Sequence, residues 1–168
     1  MKLIASFQVD HTKIVPGIFV SRRDRIAGGW ITTFDIRMKR PNVEPAVHPN
    51  AMHTIEHVVA TYLRNSEFRD HIVYWGPMGC LTGCYLLVKT SNEIQPREIA
   101  PLSRRAFRHM AGYEGEVPGA TPVNCGNYLL HDLPMAKWEA SQFLKRSWKY
   151  TYPKVKRVKV GGKVFFDA

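Results

Sequence analysis

Within AMHTIEH, residues 51–57, two histidines and a glutamate fall inside five positions. On a helix, His53 and His57 stand at i and i+4, so both imidazoles leave the same face and can reach one ion, with Glu56 beside them. This is H-x-x-E-H, a pattern of metal-binding helices. A reactive metal site needs a third protein ligand and an open fourth position for water or substrate. The third ligand must be a thiolate or carboxylate from elsewhere in the chain. Cys125 lies in the glycine-containing stretch VNCGNY and could be brought there. Cys80 lies in GPMGCLTG, whose glycines allow close backbone approach and an exposed sulfur. One thiol could ligate while the other reacts. Two blander readings stay open on spacing alone: a pair of surface histidines, and a closed structural zinc site of two histidines and two cysteines drawing on Cys80 or Cys84.

These residues need elements to position them. Residues 18–26 (IFVSRRDRI) and 30–38 (WITTFDIRM) are β-branched and aromatic, and Ala27-Gly28-Gly29 between them predicts a hairpin. Residues 41–50, with three prolines and two asparagines, can continue neither strand nor helix and predict a loop. Asn50 suits the N-cap of a helix running to about residue 64. At about 100° per residue, Met52, Ile55, Val59, Tyr62 and Leu63 share one side of that helix, whereas His53, Glu56 and His57 share another. Extended segments follow at HIVYWG and at residues 81–90, then a helix over about 92–111. A Gly/Pro-rich loop carrying Cys125 leads to a last helix over about 133–147. Strands with a few helices between them, without strict βαβ alternation, predict an α+β fold: one domain with an antiparallel sheet covered by helices.

At 168 residues the chain is long enough for one domain with a real core. No apolar run approaches the roughly 18 residues that cross a bilayer. The first residues fall short of a signal-peptide core, so a cytoplasmic location is expected. Three cysteines without a secretion signal favour thiol or metal chemistry over a disulfide framework. The formal charge of +10 is concentrated at the end, with +7 from residue 145 onward and +3 before it. The tail PKVKRVKVGGKVFFDA alternates valine with basic residues around Gly161-Gly162, which suggests a short hairpin. A basic edge strand also discourages aggregation, which favours packing on this protein over RNA contact.

Read together, the motifs resemble one family. Ser6-Phe7-x-x-Asp10-His11, Phe34-Asp35-Ile36-Arg37, Pro41-Asn42, His53-Thr54-Ile55-Glu56-His57, Pro77-Met78-Gly79-Cys80-x-Thr82-Gly83, Cys125-Gly126 and His131-Asp132-Leu133 occur in the order found in the S-ribosylhomocysteine lyases, the LuxS family. The resemblance spans residues 3 to about 147. It implies a domain over 1–147 and leaves 148–168 as a basic C-terminal extension of unknown role.

The resemblance further implies an enzyme that splits S-ribosylhomocysteine into homocysteine and 4,5-dihydroxypentane-2,3-dione, the autoinducer-2 precursor. By this reading His53, His57 and Cys125 hold one divalent metal per subunit, ferrous iron by family habit with zinc or cobalt as substitutes. Cys80 and Glu56 become the acid/base pair. Ser6, His11 and Arg37 line the substrate pocket of a homodimer whose active sites lie at the subunit interface. His131 and Asp132 are read as structural, Asp132 at the start of the last helix, and Cys84 as a small buried thiol. Tyr74-Trp75-Gly76 departs from the family, many members of which place an acid there. Two rivals remain. An H-x-x-E-H metallopeptidase would draw a carboxylate ligand from Glu93, Glu98, Glu114 or Glu116. An RNA-binding protein with a structural metal would show salt-dependent binding without turnover.

Overall fold

The computed structural model describes residues 9–153, 159–160 and 163–164. Strands β1 (Gly17–Ile26) and β2 (Gly29–Arg37) form the expected antiparallel hairpin. The turn is tighter than the sequence suggested: Ile26 pairs with Gly29, and Gly28 adopts a φ of 79°, which glycine reaches without steric cost. After helix α1 (Pro49–Arg64) come β3 (Ile72–Pro77) and β4 (Gly83–Thr90), then helices α2 (Pro96–Ala111) and α3 (Leu133–Lys145). The sheet is antiparallel throughout, in the order β1-β2-β4-β3. Strands β5 (Lys159–Val160) and β6 (Lys163–Val164) pair antiparallel, in line with the alternation of the tail.

Two helix starts differ from the sequence expectation, for one reason. The N-cap of α1 is His48, not Asn50, and its Nδ1 accepts from the Asn50 amide at 3.4 Å. Pro49 follows it, and proline, with no N–H and a preset φ, is favoured at the first helical position. Likewise α2 begins at Pro96, not near residue 92, where Gln95 and Glu98 form a reciprocal capping box. Asp132 caps α3 as expected, accepting from the Met135 amide at 2.9 Å.

Strand pleat sorts the residues. Val20, Phe34, Leu86 and Trp75 are in register across the sheet and point to the helical side. Met52, Ile55, Val59 and Leu63 of α1 are buried there as the periodicity predicted; Ala51, Thr54 and Val58 widen the stripe, and Tyr62 is only half-buried. Phe107 of α2 meets Phe143 of α3 edge-on at 4.8 Å, and Phe143 stacks on Trp148 at 4.4 Å. Each fully buried side chain of this size contributes about 1.5–3 kcal/mol. Ion pairs Lys39–Glu139 and Glu44–Arg146 tie the segment before α1 to α3 and its end, fixing where α1 enters the fold.

Phe19, Asp35 and Tyr85 are in register on the opposite sheet face, and Arg37 sits between Gly17 and Gly83. Neither glycine can carry a Cβ: at Gly17 it would strike the Lys149 carbonyl, and at Gly83 the Ile36 carbonyl. The Arg37 side chain is thus flanked by two positions without side chains.

Candidate metal centre and reactive thiol

Helix α1 presents His53 and His57 to the loop between α2 and α3. The Nδ1 of His57 donates to the Pro118 carbonyl at 2.7 Å, and that of His53 to the Leu130 carbonyl at 2.8 Å. A carbonyl only accepts, so Nδ1 carries a proton in each ring, and Nε2 is the atom left to ligate a metal. The Sγ of Cys125 lies 3.5 Å from His53 Nε2 and receives the Asn127 amide at 3.4 Å. His53, His57, Cys125 and His131 each offer a ligand atom, and these atoms lie within 4.8 Å of one another. Two oriented imidazoles and a thiolate suit a divalent ion of the zinc, iron or cobalt kind. The residues fit the implied metal.

His131 enters this cluster although the sequence suggested only a structural role. Its ring stacks on His53 at 4.3 Å. Thr54 Oγ1 spends its proton on the Asn50 carbonyl, so the 3.2 Å contact to His131 Nδ1 has the imidazole as donor. That leaves His131 Nε2 as a bare lone pair, and this buried atom has no hydrogen-bond partner among the described residues. Burial, with help from His53 and His57, pushes His131 below the ordinary histidine value and keeps it neutral. Nothing in the HDL motif itself announces this, since His131 is 77 positions from Thr54.

Cys80 belongs to a second group. The turn between β3 and β4 closes through Leu81 N to Met78 O and Met78 N to Gly83 O, both 2.9 Å. Leu81 takes a φ of 55°, a strained value for a branched side chain, and its carbonyl is held by the Val47 amide at 2.9 Å. The exposed Cys80 thiol contacts Thr82 Oγ1 at 3.1 Å and the Arg37 Nη1 at 3.8 Å. Burial of neighbouring surface opposes ionisation, but hydrogen bonds from Thr82 and the Arg37 charge outweigh it and hold the thiol below the ordinary cysteine value. Arg37 spends the rest of its fork on Asp35, Nε to Oδ1 at 3.0 Å and Nη2 to Oδ2 at 2.5 Å, and both residues are only 2% exposed. Nη1 reaches Thr82 Oγ1 at 2.6 Å. His11, Asp35, Arg37, Tyr85 and Tyr152 line one small cavity.

Glu56 is half-buried on α1, near enough to Tyr74 and Cys84 to add to the burial that raises both pKa values. Cys84 is fully buried with its sulfur 3.5 Å from Met52 Sδ, as expected of a core thiol. Ser6 lies outside the described residues. Among the described residues the cluster includes neither Cys80 nor Cys84, unlike a closed two-cysteine zinc site, and none of Glu93, Glu98, Glu114 or Glu116, unlike the metallopeptidase reading. The thiol group and the metal cluster share no hydrogen bond among those residues.

A sequence model of the family described as S-ribosylhomocysteinase (LuxS) matches residues 4–153. The chain belongs to this family. A LuxS relative from Phocaeicola vulgatus, described as S-ribosylhomocysteine lyase, is 59% identical over 145 residues, covering 86% of this chain and 89% of the relative. Lyases of the same description from Porphyromonas gingivalis and Clostridium beijerinckii are 53% identical over 146 residues and 48% over 145; each match covers 86% of this chain and 91% and 90% of the relative. The LuxS match ends at residue 153, beyond the close of α3, and takes in the segment that runs beside β1. No helix among the described residues is long and apolar enough to cross a membrane.

Proposed function

We propose the following roles for the residues of this chain in the S-ribosylhomocysteine lyase reaction, the activity that its family membership assigns to it. The observation that carries the proposal is the presence, in one chain, of a four-donor cluster that includes His53, His57 and Cys125 and a separate thiol held ionisable by Arg37 and Thr82. His53, His57 and Cys125 would hold the divalent ion, ferrous iron by family habit with zinc or cobalt as substitutes. When bound, such an ion supplies Lewis-acid polarisation of the sugar carbonyl.

The carbonyl of the substrate starts at the first carbon, too far from the thioether for its C–S bond to break. Cys80 takes a proton from the neighbouring carbon and returns one to the former carbonyl carbon, so that the carbonyl moves along the chain in two such steps. With the carbonyl at the third carbon, the proton on the fourth is removed, the C–S bond breaks, and its electron pair leaves as homocysteine thiolate. Glu56, on the face of α1 that carries the metal histidines, serves the general acid/base needs of this elimination. Ser6, His11 and Arg37 bind substrate. His11 lines the cavity beside Arg37, so it would act on the thiol side. The other product, 4,5-dihydroxypentane-2,3-dione, is the autoinducer-2 precursor, and a cytoplasmic site of action is proposed with it. Titrating released thiol from S-ribosylhomocysteine with the iron- or cobalt-loaded protein tests the assignment; a metal-replete protein without thiol release overturns it.

The active unit is proposed as a homodimer. Ile31, Thr33, Tyr85 and Leu87 stand on the sheet face away from the helices and are left half-open, with Val73 42% and Tyr74 45% exposed nearby. A second copy over this face would complete each site. Mixing Glu56→Gln protein with His11→Ala protein is expected to restore part of the lost turnover, because half the sites in a mixed dimer regain both groups. Demonstrated subunit exchange without recovery would mean self-contained sites.

A further inference from the structure

The residues after α3 return to the sheet and reach the reactive thiol through a chain of hydrogen bonds. Lys149 runs parallel to Gly17, with Ile18 N on Lys149 O at 2.8 Å and Lys149 N on Pro16 O at 3.2 Å. This approach is why Gly17 has no room for a side chain. Three residues on, the Tyr152 ring stacks on the buried Phe19 ring at 4.5 Å, nearly parallel at 11°. Its hydroxyl donates to Asp35 Oδ2 at 2.8 Å. Burial and the Asp35 carboxylate raise the Tyr152 pKa, so the phenol stays a donor through neutral pH.

We propose that Tyr152 is a positioning residue for the reactive thiol: by fixing Asp35 it fixes the guanidinium of Arg37 on Thr82 and Cys80. A guanidinium is a rigid planar fork, so holding Nε and Nη2 on one carboxylate sets the direction of Nη1. Nη1 is the atom that reaches Thr82 and the sulfur. Asp35 is buried, and among the described residues the donor on it apart from Arg37 is the Tyr152 hydroxyl. Removing that donor leaves a buried carboxylate oxygen short of a partner and lets the ion pair shift toward a new balance. Among the described residues, the titratable and charged groups around the Arg37–Asp35 pair of β2 are Cys80 in the β3–β4 turn, Tyr85 on β4, His11 on the N-terminal segment and Tyr152 itself. Burial and Asp35 also keep Tyr85 protonated, which leaves Arg37 as the cation that contact places on Cys80. Tyr152 is not among the residues whose order carried the family resemblance, and it lies 117 positions from Asp35.

The inference rests on Cys80 being the proton carrier, and its test keeps the two apart. Tyr152→Phe retains the ring on Phe19 and removes only the hydroxyl. Iodoacetamide labelling of Cys80, followed by peptide mass mapping across pH, reads the thiol directly without turnover. The labelling midpoint is expected to rise by about 0.5–1 pH unit and the neutral-pH rate to fall about 3–10-fold. The kcat should fall in parallel while metal content stays near the parent value, and the thermal midpoint should fall only by the few degrees that one lost buried hydrogen bond costs. Adding Tyr152→Phe to Arg37→Lys should cause no further shift, because the lysine ammonium cannot transmit the carboxylate's geometry. An unchanged labelling midpoint in the folded, metal-loaded Tyr152→Phe protein overturns the proposal, as does an equal second shift on top of Arg37→Lys. If Cys80→Ala turned over normally, the proton-carrier role would fail, while the labelling midpoint would still decide whether Tyr152 positions Arg37.

Discussion

Cys80→Ala is expected to keep its divalent metal and to lower thiol release from S-ribosylhomocysteine by about 10²-fold or more, the scale of a lost acid/base group. The sulfur stands outside the cluster of His53, His57, Cys125 and His131, so its removal takes no ligand away. It is held by Arg37 and Thr82, which favour its ionised form. The sign for pH follows. A thiol held below its ordinary value becomes thiolate at a lower pH than a free cysteine does, so the acid limb of the parent's kcat/KM profile should fall below the pH at which a free cysteine titrates. The decisive measurement is exchange of substrate C–H protons with solvent deuterium, followed by NMR. A group that moves protons during carbonyl migration is needed for exchange as well as cleavage, so Cys80→Ala should lose both. Exchange at the parent rate in that variant would confine Cys80 to the elimination. Cys84→Ala should change neither, because the Cys84 sulfur packs in the core against Met52.

The second large effect is on metal content. Cys125→Ala should abolish stoichiometric metal after desalting, since two neutral imidazoles without the thiolate lose both a ligand and its charge. The cobalt form of the parent should show a sulfur-to-metal charge-transfer absorption that Cys80→Ala retains and Cys125→Ala lacks. The apparent thermal midpoint of Cys125→Ala should also stop responding to added metal, because binding to the folded state is what raises it. Metal that depends on Cys80 and survives in Cys125→Ala would exchange the roles of the two sulfurs.

Local pattern made much of this legible. The hairpin of β1 and β2, the buried stripe of α1 and the ionisable face carrying His53, Glu56 and His57 all follow from periods of 2 and 3.6 residues, which act within a few positions. The helix starts at Pro49 and Pro96 were misplaced by a few residues because Asn50 is a good cap in isolation, while the proline and the capping box decide the actual boundary. The candidate metal helix and the two separate cysteine loops could likewise be read from residue type and spacing, together with the motif order of the family.

Contacts between distant positions were settled by the tertiary structure. His131 becomes a lone pair facing the cluster through Thr54, whose hydroxyl is already committed to the Asn50 carbonyl. The fork of Arg37 is held on Asp35 and Thr82, between two glycines that leave it room. Tyr152 reaches Asp35 because the chain after α3 runs back along β1. The sequence by itself determined which residue types could ligate, ionise or turn, since those are properties of side chains and short periods. Only the folded chain decided which of them share a proton or a charge, because that depends on approaches of a few ångströms between positions more than 40 residues apart, as between Arg37 and Cys80.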